Sequence, residues 1–170
     1  MDIKPLTYNG RDEGIMVTLS TMLKPGDDGS KISEAVMNLF PDASIDRMGE
    51  ESFPSQQNVV IECPHLSVET FLTQIRQQAI LDTAMDAMAK NLDGNTTVFS
   101  ISRLAAFANK ISFTNEEIPL GGCFTIRLEG TGLGDWIEAV TWHNGRQEVP
   151  RQLNDELAMH QDGKASTWHQ

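Results

Sequence analysis

The sequence predicts an α+β fold: a mainly antiparallel sheet with helices packed on one face and the other face open. Three observations lead there. Segments 14–23, 58–63, 110–114 and 123–128 alternate apolar with polar residues, the period of a half-buried strand. Residues 67–92 instead carry apolar residues at helical spacing. The outward strand positions, Thr18, Ser20, Lys110, Ser112, Thr114, Thr125 and Arg127, are all polar, as one solvated sheet face requires.

Taken in order, residues 1–14 read as a flexible arm and 15–142 as a single domain. In the first strand, Ile15, Val17 and Leu19 share one face. A turn cluster at 24–29 follows, and Ser30 is placed to N-cap a helix that runs to Phe40. Pro41 stops that helix, because proline lacks the N–H and clashes with the preceding turn. A short strand is expected over 43–48, a polar connection after it, and a strand over 58–63 that Pro64 ends. The long helix starts at Ser67 as N-cap and stops at Asp93-Gly94. Its apolar stripe changes side near Gln77-Gln78: either the helix bends or breaks there, or its two halves pack against different partners, the second being favoured because no glycine or proline is present to cause a sharp kink. Asp82 continues the first stripe and needs a partner if buried, Arg76 or Arg103. The strand 96–101 leads to Ser102, which caps a short helix with Phe107 on its apolar side. Strands over 110–114 and 123–128 follow, with Phe113 and Phe124 inward. Residues 135–142 form a short helix or strand, and 143–170 read as a polar, disordered tail.

Composition excludes several classes. The chain has 170 residues and a net charge of −11, so phosphate binding over its whole surface is unfavourable. The charge is uneven, however: segment 67–130 has 5 basic and 7 acidic residues, against 5 and 11 in 1–66. An acidic surface also serves solubility. No apolar run is long enough to span a membrane, and the N-terminus lacks the pattern of a signal peptide. Two cysteines, Cys63 and Cys123, fit a reducing, cytoplasmic setting.

No constellation of catalytic residues emerges, so a non-enzyme is expected. Cys63-Pro64-His65 joins a cysteine to a histidine, but a metal centre needs three or four ligands and no second pair has zinc spacing. Cys63 reads as a core residue, and neither metal nor cofactor is expected. The run from Gly130 to Gly134 lacks the lysine and the spacing of a phosphate-binding loop. The open sheet face is the candidate surface, with Lys110 and Arg127 on neighbouring strands and inward phenylalanines that leave no stacking platform. A Thr-rich face suits a protein partner equally well.

Residues 75–88 (IRQQAILDTAMDAM), the DGNTT turn, LAAFANKISF at 104–113, PLG at 119–121 and VMNLFPDA at 36–43 carry a family likeness. On these residues the chain resembles an archaeal family of small uncharacterised proteins (UPF type), predicted to be RNA-binding and linked with the exosome. The resemblance covers roughly residues 15–142. It implies a fold like that of the large-subunit ribosomal protein that contacts five-S rRNA, and RNA as the partner. The expected function is therefore non-catalytic RNA binding associated with RNA processing or the exosome, through Lys110, Arg127, Arg103 and Arg76. The alternative is a protein-interaction or homodimeric scaffold module without nucleic acid, with a second copy or an exosome-related protein as partner.

Overall fold

The computed structural model describes residues 8–43, 59–114 and 121–147. Most of the strand expected over 43–48, and the tail from 148 on, lie outside the described residues. Strands β1 (Met16–Leu23), β2 (Val59–Cys63), β3 (Thr96–Ser102) and β4 (Cys123–Glu129) form one sheet in the order β2-β1-β4-β3, with every pairing antiparallel. Among the described residues the helices of this α+β fold are α1 (Gly29–Leu39), α2 (Glu69–Gln77), α3 (Leu81–Lys90), α4 (Arg103–Phe107) and α5 (Leu133–Val140), followed by a 3-10 turn at Asn144–Gln147. No helix among the described residues is long and apolar enough to cross a membrane.

Alternation sorts the sheet into two faces. Val17, Leu19, Ile101, Phe124, Ile126 and Leu128 point inward and are fully buried with the apolar stripes of the helices. Burying a large side chain of this kind stabilises by about 1.5–3 kcal/mol. Phe71 of α2 sits at the centre, stacked on Phe40 at 5.5 Å and edge-on to Phe113 at 6.4 Å. Thr97 also points inward, where its hydroxyl donates to the Met88 carbonyl at 2.6 Å and ties β3 to the end of α3. The opposite face carries Thr18, Ser20, Val98, Ser100, Thr125 and Arg127, and among the described residues no element covers it.

Several expectations are corrected. The N-cap of α1 is Asp28 rather than Ser30: its carboxylate accepts from the amides of Ser30 and Lys31 at 3.0 and 3.2 Å. An ionised acceptor also meets the positive end of the helix. The cap residue of α2 is Val68 rather than Ser67, although the Ser67 hydroxyl accepts from the Glu69 amide at 3.3 Å from one position further out. Of the two alternatives for the long helical stretch, the break near Gln77-Gln78 is the one observed, not the favoured continuous helix. Ala79 takes φ +58°, its amide bonds back to the Arg76 carbonyl, and the Ile80 amide reaches the Ile75 carbonyl. That pair of bonds is a Schellman ending, with alanine in the left-handed seat where glycine is usual. The chain then restarts at Leu81 on a new axis, so each apolar stripe belongs to its own helix.

Residues 110–114 do not form a strand. Ile111 is buried and Phe113 packs on the core as the alternation requires, but only the pair Ile101 and Phe113 bridges to β3. The folded unit also reaches past residue 142. Arg146, in the 3-10 turn, is 4% exposed, so 143–147 belong to the domain rather than to a tail.

Candidate nucleic-acid interface

The corner around α4 gathers most of the polar chemistry. Ser102 ends β3 and caps the helix, accepting from the Ala105 amide at 3.2 Å. Arg103 then turns inward. Its Nε donates to the Gly121 carbonyl at 2.9 Å, and Nη1 donates to the Thr21 hydroxyl and the Met22 carbonyl, both at 3.1 Å. Asp27 stands 3.4 Å from Nη2. The two glycines opposite are required here. A Cβ on Gly122 would lie 2.3 Å from the guanidinium, and one on Gly121 would lie 2.5 Å from Leu104; both residues have φ above +80°.

Arg103 is therefore no RNA contact. It is 9% exposed and spent on main-chain oxygens that join α4 to β1 and the start of β4. With Arg103 and Ala106 filling the inward seats of this five-residue helix, Leu104 and Phe107 face outward. Phe107, expected in the core, is 40% exposed.

Asn109 follows in the left-handed region at φ +61°, and its amide closes the helix on the Ala106 carbonyl at 3.0 Å. This turn leaves Lys110 exposed outside any strand. The next residue is gripped by an amide: Gln78 donates to the Ile111 carbonyl at 2.9 Å and accepts from its N–H at 2.8 Å. Gln74 orients Gln78 through a 2.7 Å bond. Gln74, Gln77 and Gln78 on one side, with Ala108, Asn109 and Lys110 on the other, thus bound a polar groove of about 280 Å³. A second cleft of about 250 Å³ lies against α4, where Ile32, Ala35, Leu104 and Phe107 line an apolar floor beside Lys31 and Asp27.

The remaining predicted cations lie elsewhere. Arg127 stands on the open sheet face, opposite Thr18 and Val98, in a 3.2 Å ion pair with Glu129. Arg76 is exposed on the last turn of α2, roughly across the helix from the groove-lining glutamines at about 100° per residue. Lys110 and Arg127 do not neighbour each other on two strands, and the four cations form no single patch.

Asp82, near the start of α3, found different partners from those expected. Its Oδ1 accepts from Arg146 Nε at 2.9 Å and meets His143 Nε2 at 3.0 Å. Arg146 also donates to the Thr141 hydroxyl at 3.2 Å. Partial burial pushes the Asp82 carboxyl up. The hydrogen bonds from Arg146 and His143, with their charges, outweigh it and hold the group below the usual carboxylate range. A carboxylate kept ionised and engaged in this way is a clasp rather than a proton donor. Burial pushes the Cys63 thiol up, which makes it a poor nucleophile. Among the described residues no group of three or more His, Cys, Asp or Glu is placed to hold a metal.

No protein-family model matches the chain. Among individual proteins, it is 32% identical to a UPF0201 protein of Sulfurisphaera tokodaii over 130 residues, 74% of this chain and 88% of that one. A UPF0201 protein of Saccharolobus solfataricus is 28% identical over 134 residues, 76% of this chain and 90% of that one. The crystal structure of a UPF0201 protein from Methanococcus jannaschii superposes with a TM-score of 0.62 at 22% identity, over 76% of this chain and 96% of that one. Sequence likeness across most of both chains, joined to the same fold, places this protein: it belongs to the UPF0201 family.

Proposed function

We propose that the protein is a non-catalytic RNA-binding protein that takes single-stranded segments at the α4 corner. The observation that carries this reading is Phe107, an exposed aromatic two residues before Asn109 and three before Lys110. Single-stranded RNA is recognised by stacking unpaired bases on aromatic rings and hydrogen-bonding their edges. Phe107 lines the apolar cleft while the next residue, Ala108, lines the polar groove. A strand crossing the end of α4 would thus lay one base on Phe107 and the next nucleotide among Gln74, Gln77 and Asn109. Lys110 would meet a phosphate. With Lys110 at the groove and Lys31 beside the apolar cleft as its exposed cations, and a net charge of −11 on the chain, binding is weak and salt-sensitive.

This reading agrees with the RNA partner, the cytoplasmic setting and the likeness to the five-S-rRNA-binding ribosomal protein that the family resemblance implies. It also agrees with a role in RNA processing beside an exosome-related protein. Fluorescence anisotropy with a mixed-sequence single-stranded RNA tests it. Phe107→Ala should weaken binding by about 1–3 kcal/mol, the worth of one stacked base. Lys110→Glu should lower the magnitude of the log affinity against log salt slope by about 0.7. Both positions are exposed, so both variants should fold. No binding at low salt, or binding that neither change moves, rejects the proposal.

A further inference from the structure

We propose that the open sheet face is where two copies of this chain meet. Exposed large apolar side chains mark its margin: Met16 at one end, and Met22 with Val60 at 60% exposure at the other. Its centre carries small hydroxyl side chains, with Ser20 beside Thr125 and Thr125 beside Ser100, while Glu62 flanks Ser20 on the other side. Small side chains of this kind let a second sheet approach to about 10 Å.

Charge selects the occupant. The chain carries −11, so two copies repel over most of their surfaces. The outward positions of the four strands carry only Arg127, Glu129 and Glu62 as charged residues, so this region opposes self-association least. The charges are also placed to complement themselves. Arg127 on β4 lies opposite Thr18, and Glu62 on β2 lies opposite Ser20, so the two flank the middle of β1. A two-fold axis through that point sets Arg127 of each copy over Glu62 of the other, as an isologous contact requires. The guanidinium has donors enough to keep Glu129 as well.

Area limits the strength. Four strands about 4.8 Å apart and about seven residues long span a plane of roughly 400 Å². That is small beside the roughly 800 Å² per partner of a standard stable interface. The dimer is therefore weak and concentration-dependent, and it needs no RNA.

Sedimentation equilibrium of the full chain, free of nucleic acid, tests this across roughly two decades of micromolar concentration. The expected result is a mass that rises from one chain towards two. Glu62→Arg and Arg127→Glu alone each set like charges face to face and should weaken dimerisation at least about tenfold, whereas the double swap restores it. Circular dichroism confirms folding, and the double variant covers the case in which one single variant folds poorly. A mass of one chain throughout, or a dimer indifferent to the swaps, assigns the face to another occupant and overturns the proposal.

Discussion

Two buried guanidiniums each tie separate elements of this domain together, and they do so by different chemistry. Arg103 binds carbonyls and a hydroxyl, with Asp27 at a longer 3.4 Å. Arg146 binds the Asp82 carboxylate at 2.8 Å and the Thr141 hydroxyl, and His143 shares the same acid. The three shorter Arg103 bonds go to neutral acceptors, which do not titrate, whereas the shortest Arg146 contact is to a carboxylate, which does. The first is thus a fixed joint between α4, β1 and β4. The second is a clasp whose grip depends on protonation.

The largest effect should come from breaking the fixed joint. Arg103→Met leaves the Gly121 and Met22 carbonyls and the Thr21 hydroxyl without their donor. The expected loss is about 3 kcal/mol in urea denaturation, since hydrogen bonds to a charged group are worth about 1.5–3 kcal/mol each and some of the freed groups recover water. The acid limb of its stability profile should run parallel to that of the wild type. A parallel limb sharpens the contrast with the clasp, while a changed one breaks it.

At the clasp the pH dependence is the signature. The folded pKa of Asp82 lies below its unfolded value, so the unfolded chain binds the proton more readily. The contribution is complete above the ordinary carboxylate pKa of about 3.9 and is lost as pH falls through the lower folded value. Asp82→Asn should therefore destabilise near neutral pH and flatten the profile below about pH 4. Its cost should be modest, about 1 kcal/mol, because solvent reaches the carboxylate and screens the pair. Denaturation midpoints at several pH values measure both. An acid limb as steep as that of the wild type would remove Asp82 as its source.

How much of this was legible in the sequence depended on the range of the forces involved. β1 to β4 were readable within a residue or two, because a period of two is imposed by the strand itself and needs no knowledge of the partner. The likeness at 75–88 and 104–113 pointed to the right family. Lys110 was picked out correctly as exposed, but its strand was not real, since Gln78 rather than β3 takes both main-chain groups of Ile111. Phe107 was misplaced because aromatics normally win the interior, and nothing local says that Arg103 has the inward seat. Asp82 has its partners 61 and 64 residues later. The stretch holding them looked polar enough to be a tail.

The smallest effect concerns the helix break that precedes Asp82. Ala79 occupies a left-handed seat that costs an L-residue roughly 1 kcal/mol; the change of apolar stripe marked the place of the break, and the absence of glycine argued against it. Ala79→Gly should raise stability by a net of less than about 1 kcal/mol, the relief being partly offset by a floppier unfolded chain. Thermal melts will read this as a small rise in midpoint. A fall would mean that the alanine methyl packs usefully, and that the start of the clasp helix is better supported than its backbone suggests.

The order of strands in the sheet has a consequence for how the protein comes into being. β4 lies between β1 and β3, and Val17 sits opposite Leu128. During synthesis β1 therefore leaves the ribosome long before its central neighbour exists. Until then it can pair only with β2, and an isolated two-stranded ribbon is marginal in water. The nascent chain must wait with Val17 and Leu19 uncovered, the circumstance in which aggregation competes with folding. A messenger broken before β4 would thus encode no smaller domain, only a chain for the proteolytic machinery to remove.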